Sequence, residues 1–182
     1  SMIFSLFKPD EVQEAATDLY ADIVEQARRE AFYLDLEVPD TKEGRFDLIT
    51  LHMFLALRRL KDDARARERF SQKLFNVMFR NMDHSLREMG AGDLTVGKKV
   101  RGLAEAFYGR VRAYGTALDE KDHDALGKAL ARNIYDDEEY NPEIINQMMD
   151  YVLRSEADLA HQTVDRIMLG VIRFPDVLKA EA

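Results

Sequence analysis

The strongest constraint on the fold is a regular spacing of apolar side chains in the middle of the chain. They follow one another at alternating steps of four and three residues, which places them on one face of a helix. Glycine follows at position 90, where a helix C-cap favours it because glycine enters the left-handed conformation at little cost. The segment therefore predicts an amphipathic helix that stops at Gly90. Its apolar face is formed by Phe75, Phe79, Met82, Leu86 and Met89.

Helical apolar faces recur along the rest of the chain, whereas alternating strand patterns are absent apart from a candidate extended end at residues 171–174. A helix is predicted after Pro9 and another over residues 42–61. The second is apolar on most sides, as is typical of a central, buried helix. A charged passage then leads into the helix over residues 70–89.

Three more helices are predicted in the second half of the chain. The first is capped by Asp93 or Thr95 and reaches Leu118, and the next covers residues 122–135. The last starts at Asn141-Pro142, a strong N-cap and first-turn signal, and continues to Met168. Glycine occurs at positions 97, 102, 109 and 115 of the first of these helices, where we expect another backbone to approach closely.

The predicted fold class is therefore all-α: a single compact multi-helix domain of about six helices, without a substantial sheet. We expect this one domain to span residues 1–182. The short apolar segment at residues 1–8 has two open interpretations, contact with a membrane interface or packing on the core.

Composition excludes several classes of function. The 182 residues include no cysteine, which excludes a disulfide framework, thiolate metal sites and a cysteine nucleophile. A formal net charge of −8 argues against nucleic acid as a specific partner, because phosphate binding requires a strongly basic surface. The N-terminus lacks the pattern of a signal peptide, so we expect a cytoplasmic protein, either free or peripheral at the inner face of the membrane.

Motifs for catalysis or cofactor binding are weak. The four histidines are scattered, and the pairs Glu120/His123 and Asp158/His161 fit a metal spacing only once each, as solvated surface residues often do. His52 lies in the most apolar helix and is interpreted as a core histidine bonded to a backbone carbonyl or a carboxylate. We therefore predict no catalytic residue, no metal site and no cofactor.

Several short blocks in the chain resemble the ubiquinol–cytochrome c chaperone family. This family contains the mitochondrial assembly factor of the cytochrome bc1 complex and its bacterial relatives. The resemblance covers about Leu19 to Leu118 and weakens towards the C-terminus. The blocks, in order, are Pro39-Asp-Thr41, Gly44-Arg-Phe-Asp47, Leu51-His52, Arg58-Arg-Leu60, Met82-Asp83, Leu86-Arg-Glu-Met-Gly90, Gly92-Asp93 and Ala106-Phe-Tyr-Gly-Arg110.

The resemblance implies a non-enzymatic helical chaperone that binds newly made cytochrome b and assists assembly of the bc1 complex. It also implies a small assembly partner, and a transient contact with the membrane surface is compatible with such a role. Two other interpretations remain open: a generic helical protein–protein adaptor and, ranked below it, a small helical enzyme.

Polar residues beside the apolar stripes coincide with these family blocks, and we expect the client-binding surface there. It would lie near the turn between residues 83 and 93 and near Phe107 to Arg110. An equally weighted interpretation is that the charged members only tie helices together. The candidate residues are Arg45, His52, Asp83, Arg87, Glu88, Asp93, Phe107, Tyr108 and Arg110.

Overall fold

The structure, a computed structural model, describes residues 8–180, and within them the chain forms nine helices and no strand. Six are long, which agrees with the number predicted, and three have only five or six residues. The predicted all-α fold class is confirmed for this part of the chain. The expectations for residues 1–7 lie outside it. In chain order the helices are α1 (Pro9–Ala27), α2 (Glu30–Leu34), α3 (Lys42–Leu60), α4 (Ala64–Arg69), α5 (Ser71–Glu88), α6 (Asp93–Asp119), α7 (His123–Tyr135), α8 (Pro142–Ala160) and α9 (Val164–Met168).

Side-chain caps explain where several helices begin. The Thr41 hydroxyl accepts a hydrogen bond from the Gly44 amide at 3.1 Å and so caps α3. Asn141 caps α8 through the Glu143 amide, with Pro142 in the first turn. Position 44 requires glycine, because a Cβ there would lie only 1.9 Å from the Pro39 carbonyl oxygen. This contact fixes the entry of the chain into α3.

Helix α3 is the centre of the molecule, and it packs against α1, α6, α7 and α8. Side chains on nearly all of its faces are buried, as its apolar sequence predicted. Burial of apolar area of this extent is the main favourable contribution to folding. The outer helices are arranged in pairs around it, with α1 against α5, α5 against α6, and α7 against both α6 and α8. The wholly buried members of α3 include Leu48, Leu51, Met53 and Ala56.

Two sequence predictions are wrong in detail. The last predicted helix is interrupted, since α8 ends at Ala160 and α9 begins only after Thr163, whose hydroxyl accepts from the Arg166 amide. No backbone approaches any of the four glycines for which one was expected: a Cβ would meet only the Arg101 side chain at Gly97, only the Phe54 ring at Gly115, and nothing within 4 Å at Gly102 or Gly109. These two glycines face open space, so their cost to the helix is not offset by close packing.

The C-terminal segment after α9 runs back over the core without regular secondary structure. The Gln26 amide donates to the Pro175 carbonyl at 3.1 Å, and Arg154 donates to the carbonyls of Asp176 and Val177. The segment begins at Gly170, which has a positive φ of 95°. These contacts join α1, α8 and the end of the chain.

Candidate functional site

The turn between α5 and α6 is held by ion pairs of Arg87. Its guanidinium contacts Asp83, one turn earlier on α5, with Nε 2.7 Å from Oδ1, and it also contacts Asp93 at the start of α6. The hydrogen bond from Arg87 lowers the pKa of Asp93. Gly90 takes a positive φ of 89° and ends α5, as its position in the sequence predicted. The structure therefore brings three of the predicted site residues together in one exposed cluster.

An aromatic ridge continues from this turn along the α5–α6 contact. Phe107 is buried and meets Phe75 edge-on, with ring centroids 4.8 Å apart. Tyr108 is 50% exposed and stacks on the other side of Phe75 at 5.3 Å, with the rings inclined by 18°. Phe79 completes the ridge beside Phe75. Phe75 and Phe79 were assigned only to packing from the sequence, although their spacing of four residues places both beside α6.

Arg110 faces inward and ties α6 to α3. Its Nε lies 2.9 Å from Oδ1 of the buried Asp47, and its guanidinium lies over the Phe46 ring. Burial raises the pKa of Asp47 to about 6, although the charge of Arg110 opposes the shift. Asp47 was not predicted as a site residue. The sequence signal that could have identified it is its place directly before the mostly apolar stretch of residues 48–57. For Arg110, the structure favours the helix-tying interpretation.

His52 lies in the core, away from the predicted surface. Its Nδ1 is 2.7 Å from the Leu48 carbonyl oxygen, and its Nε2 is 2.7 Å from the Tyr151 hydroxyl. A carbonyl only accepts, so Nδ1 carries the proton of the neutral ring and Nε2 accepts from Tyr151. The tyrosine oxygen also accepts from Gln26, and the rings of Phe32 and His52 meet edge-on. The expected carbonyl-bonded core histidine is confirmed.

The remaining candidates lie at different parts of the surface. Glu88 pairs with His84 one turn earlier on α5, with 3.1 Å between Oε1 and Nε2. Arg45 is exposed on the first turn of α3, and its ion-pair partner is Asp40, at 2.8 Å, rather than a residue of the α5–α6 turn. The exposed candidates thus form one group on the α5–α6 hairpin, with Arg45 separate from it.

Neither a metal-binding cluster nor a membrane-spanning helix is found among residues 8–180. Over this range no three histidine, aspartate or glutamate side chains converge in a way that would hold a metal ion. No described helix has an apolar stretch long enough to cross a bilayer.

Similarity to known proteins identifies the family. Residues 34–174 match the family described as ubiquinol-cytochrome C chaperone, which is more than three quarters of the chain. The chain belongs to the ubiquinol–cytochrome c chaperone family. The match confirms the family inferred from the short blocks, but its extent differs from the one expected. It starts after α1 and reaches beyond Leu118 through α8 and α9, so the C-terminal helices belong to the family fold as well.

A solved structure and curated relatives agree with this assignment. The crystal structure of a Cbp3 homologue from Brucella abortus is 39% identical to this chain, with a TM-score of 0.82 over 97% of this chain and 98% of the other. Ubiquinol-cytochrome c reductase complex assembly factor 1 from mouse is 24% identical over 164 residues, which cover 90% of this chain. The factors of the same name from Xenopus laevis and human are each 25% identical over 141 residues, 78% of this chain.

The chain and its curated relatives differ in length. The matched region spans 55% of the mouse protein, 70% of the Xenopus protein and 47% of the human protein. The chain therefore corresponds to about half of the mouse and human factors. The Brucella protein, in contrast, matches over nearly its whole chain.

Proposed function

We propose that this protein is an assembly factor for the cytochrome bc1 complex and that its client is newly made cytochrome b. The observation that carries the proposal is the family match, supported by a solved neighbour of the same fold over 97% of the chain. The mouse relative is named for assembly of the ubiquinol–cytochrome c reductase complex, which is the bc1 complex. The choice of cytochrome b as client follows from the family resemblance.

The client-binding surface we propose is the exposed side of the α5–α6 hairpin. Tyr108 is half-exposed, and the partly buried Phe75 and Phe79 beside it extend its aromatic contact area. The charged cluster around Arg87 flanks the ridge. Its charges would orient a bound client by electrostatic attraction, without any covalent reaction. Phe107 and Arg110 support this surface from beneath, and His52 supports the fold from the core.

We further propose that the protein acts by binding rather than by catalysis. Both ring nitrogens of His52 are engaged with Leu48 and Tyr151 inside the core, so the ring is not available to a substrate. Replacement of His52 by glutamine should therefore leave bc1 assembly intact when the variant protein accumulates to its normal level. Loss of bc1 at a normal protein level would contradict a purely structural histidine.

Deletion of the gene tests the proposed function in cells. A haem difference spectrum and a native gel should show loss of cytochrome b and of assembled bc1, with other respiratory complexes unchanged. Re-expression of the protein should restore bc1, and a Tyr108→Ser variant should restore it less well. Leu178→Ser is the matched control because Leu178 is also exposed, at 41%, but lies in the C-terminal segment. Unchanged bc1 after deletion would contradict the proposal.

Photo-cross-linking tests the client directly. A photoreactive amino acid in place of Tyr108 should capture cytochrome b, and the same group in place of Leu178 should not. Capture of a different protein at position 108 would favour the adaptor interpretation. Equal capture at both positions would mean that the hairpin is not the client-binding surface.

A further inference from the structure

The far end of the α5–α6 hairpin has few buried side chains. The buried residues of α5, which are Leu74, Val77 and Met78, all lie in its first half. In the first half of α6, only Val96 is buried, and it is not part of the main core cluster. Helix α6 has 27 residues, so at ~1.5 Å per residue it is roughly 40 Å long. Residues 86–101, the hairpin tip, lie beyond these buried positions, and the tip contacts the first turn of α3 through the Lys42 ammonium, which lies 3.0 Å from the Met89 sulfur.

The tip has two large apolar side chains that are mostly exposed to solvent and do not pack in the core. Leu94 is 91% exposed and Met89 is 58% exposed, on either side of the Gly90–Gly92 turn. Transfer of the Leu94 side chain from water into an apolar layer would strengthen binding to that layer by about tenfold, because the transfer free energy of leucine is favourable. Leu94 is thus placed to enter an apolar layer at the end of the hairpin, and Met89, whose sulfur accepts from the Lys42 ammonium at 3.0 Å, lies beside it.

Basic residues follow Leu94 on the outward face of α6. Leu94, Lys98 and Arg101 succeed one another at steps of four and three, and Arg112 continues the same face about three turns later. From position 94 to position 112 the sequence has five basic residues and a single acidic one, although the whole chain carries a net charge of −8. Arg110 is neutralised by Asp47. For the other four basic residues, no carboxylate among residues 8–180 lies within ion-pair distance.

We propose that the hairpin tip docks on an anionic lipid surface, with Leu94 and Met89 in the interfacial layer and Lys98, Lys99 and Arg101 beside the headgroups. Apolar side chains next to a basic helix face are the combination that favours binding at a lipid interface. An RNA contact would use the cations but leave the exposed leucine without a role. The acidic remainder of the protein is repelled by the same surface, which orients the molecule tip first.

Docking on lipid is a property separate from the assembly role, and it can be measured with the purified protein alone. Co-sedimentation with vesicles of phosphatidylcholine and about one third phosphatidylglycerol should show binding that salt weakens, and vesicles of phosphatidylcholine alone should show little. Lys98→Gln, Lys99→Gln and Arg101→Gln together should weaken binding by about five-fold per cation removed. The matched control replaces three exposed cations of another helix region, Lys121, Lys128 and Arg132, by glutamine.

A fluorescence experiment tests insertion of the tip. The chain has no tryptophan, so a single Leu94→Trp variant reports from one position only. Its emission should shift to the blue with anionic vesicles and be quenched by brominated lipid, whereas a Leu178→Trp variant should do neither. Circular dichroism and the thermal midpoint check that both variants are folded.

Three outcomes would overturn the proposal. The first is absence of wild-type binding to anionic vesicles. The second is equal loss of binding in the tip and control triple variants. The third is binding that depends on the three cations but leaves Leu94→Trp unshifted, together with tighter binding to a single-stranded RNA probe, which would assign the basic face to nucleic acid. Because no cytochrome b is present in these assays, their failure would leave the assembly role untouched.

Discussion

The histidine at the centre of the fold should make the stability of the protein depend on pH. Burial lowers the pKa of His52 to about 4, and the hydrogen bond to the Leu48 carbonyl opposes only part of the shift. In the unfolded chain a histidine has a pKa of about 6.5. Between these values the unfolded state binds the proton and the folded state does not. The contribution of neutral His52 to stability is therefore complete above pH 6.5 and is lost as the pH falls from 6.5 towards 4.

The size of the effect follows from the two pKa values. At pH 5 the unfolded histidine is almost fully protonated while the buried ring is still mostly neutral, so the loss is about 2 kcal/mol. A His52→Gln variant lacks this titration. At pH 7.5 it should be less stable than wild type by about 1–3 kcal/mol, because the buried Tyr151 hydroxyl and the Leu48 carbonyl lose their present partner. At pH 5 the difference should shrink by about 2 kcal/mol.

Urea denaturation of both proteins at the two pH values measures this change. Asp47, whose pKa is raised by burial, contributes the opposite pH trend, but it is present in both proteins and cancels in the difference. An exposed control, His161→Gln, accounts for the removal of one imidazole without any change in the core. A stability difference between wild type and His52→Gln that stays constant from pH 7.5 to 5 would refute the reasoning.

Three substitutions test other parts of the argument by the same urea assay. Gly44→Ala should destabilise the fold by about 2–3 kcal/mol because its Cβ would overlap the Pro39 carbonyl, and wild-type stability would show that the turn before α3 can shift. Gly109→Ala should stabilise it by up to about 1 kcal/mol, since the added methyl group meets open space, and a loss of stability would reveal a neighbour. Arg110→Met should cost about 3 kcal/mol by leaving the buried Asp47 without its cation, and a second change, Asp47→Asn, should restore most of the loss. An unchanged single variant would mean that the pair contributes nothing.

Local signals in the sequence were sufficient to predict the six long helices, but neither the short ones nor the environment of the helices. The Thr41 cap, the Asn141-Pro142 start and the Gly90 stop depend on residues within one turn, so they were readable from the sequence. Gly102 and Gly109 were misjudged because glycine in a helix is compatible both with a close neighbour and with solvent.

The candidate site was predictable only in part, for a related reason. Asp83, Arg87 and Asp93 are close in sequence, and helical spacing together with a short turn brings them together. The partner of His52 is Tyr151, which lies 99 residues away, and helical periodicity carries no information about that distance. The partner of Arg110 is Asp47, on another helix, so its inward direction could not be read from its own segment.

The contacts of the C-terminal segment have a consequence for biosynthesis. Gln26 bonds to Tyr151, 125 residues away, and to Pro175, 149 residues away, so these bonds join α1 to α8 and to the C-terminal segment. Contacts between residues so far apart in sequence form late, because the intervening loop must close first. During synthesis, α1 and α3 emerge before α8, so Gln26 and His52 lack their partner Tyr151 until α8 has been made. A protein that we propose shelters an unfinished client thus completes its own polar core only after its C-terminal helices have been made.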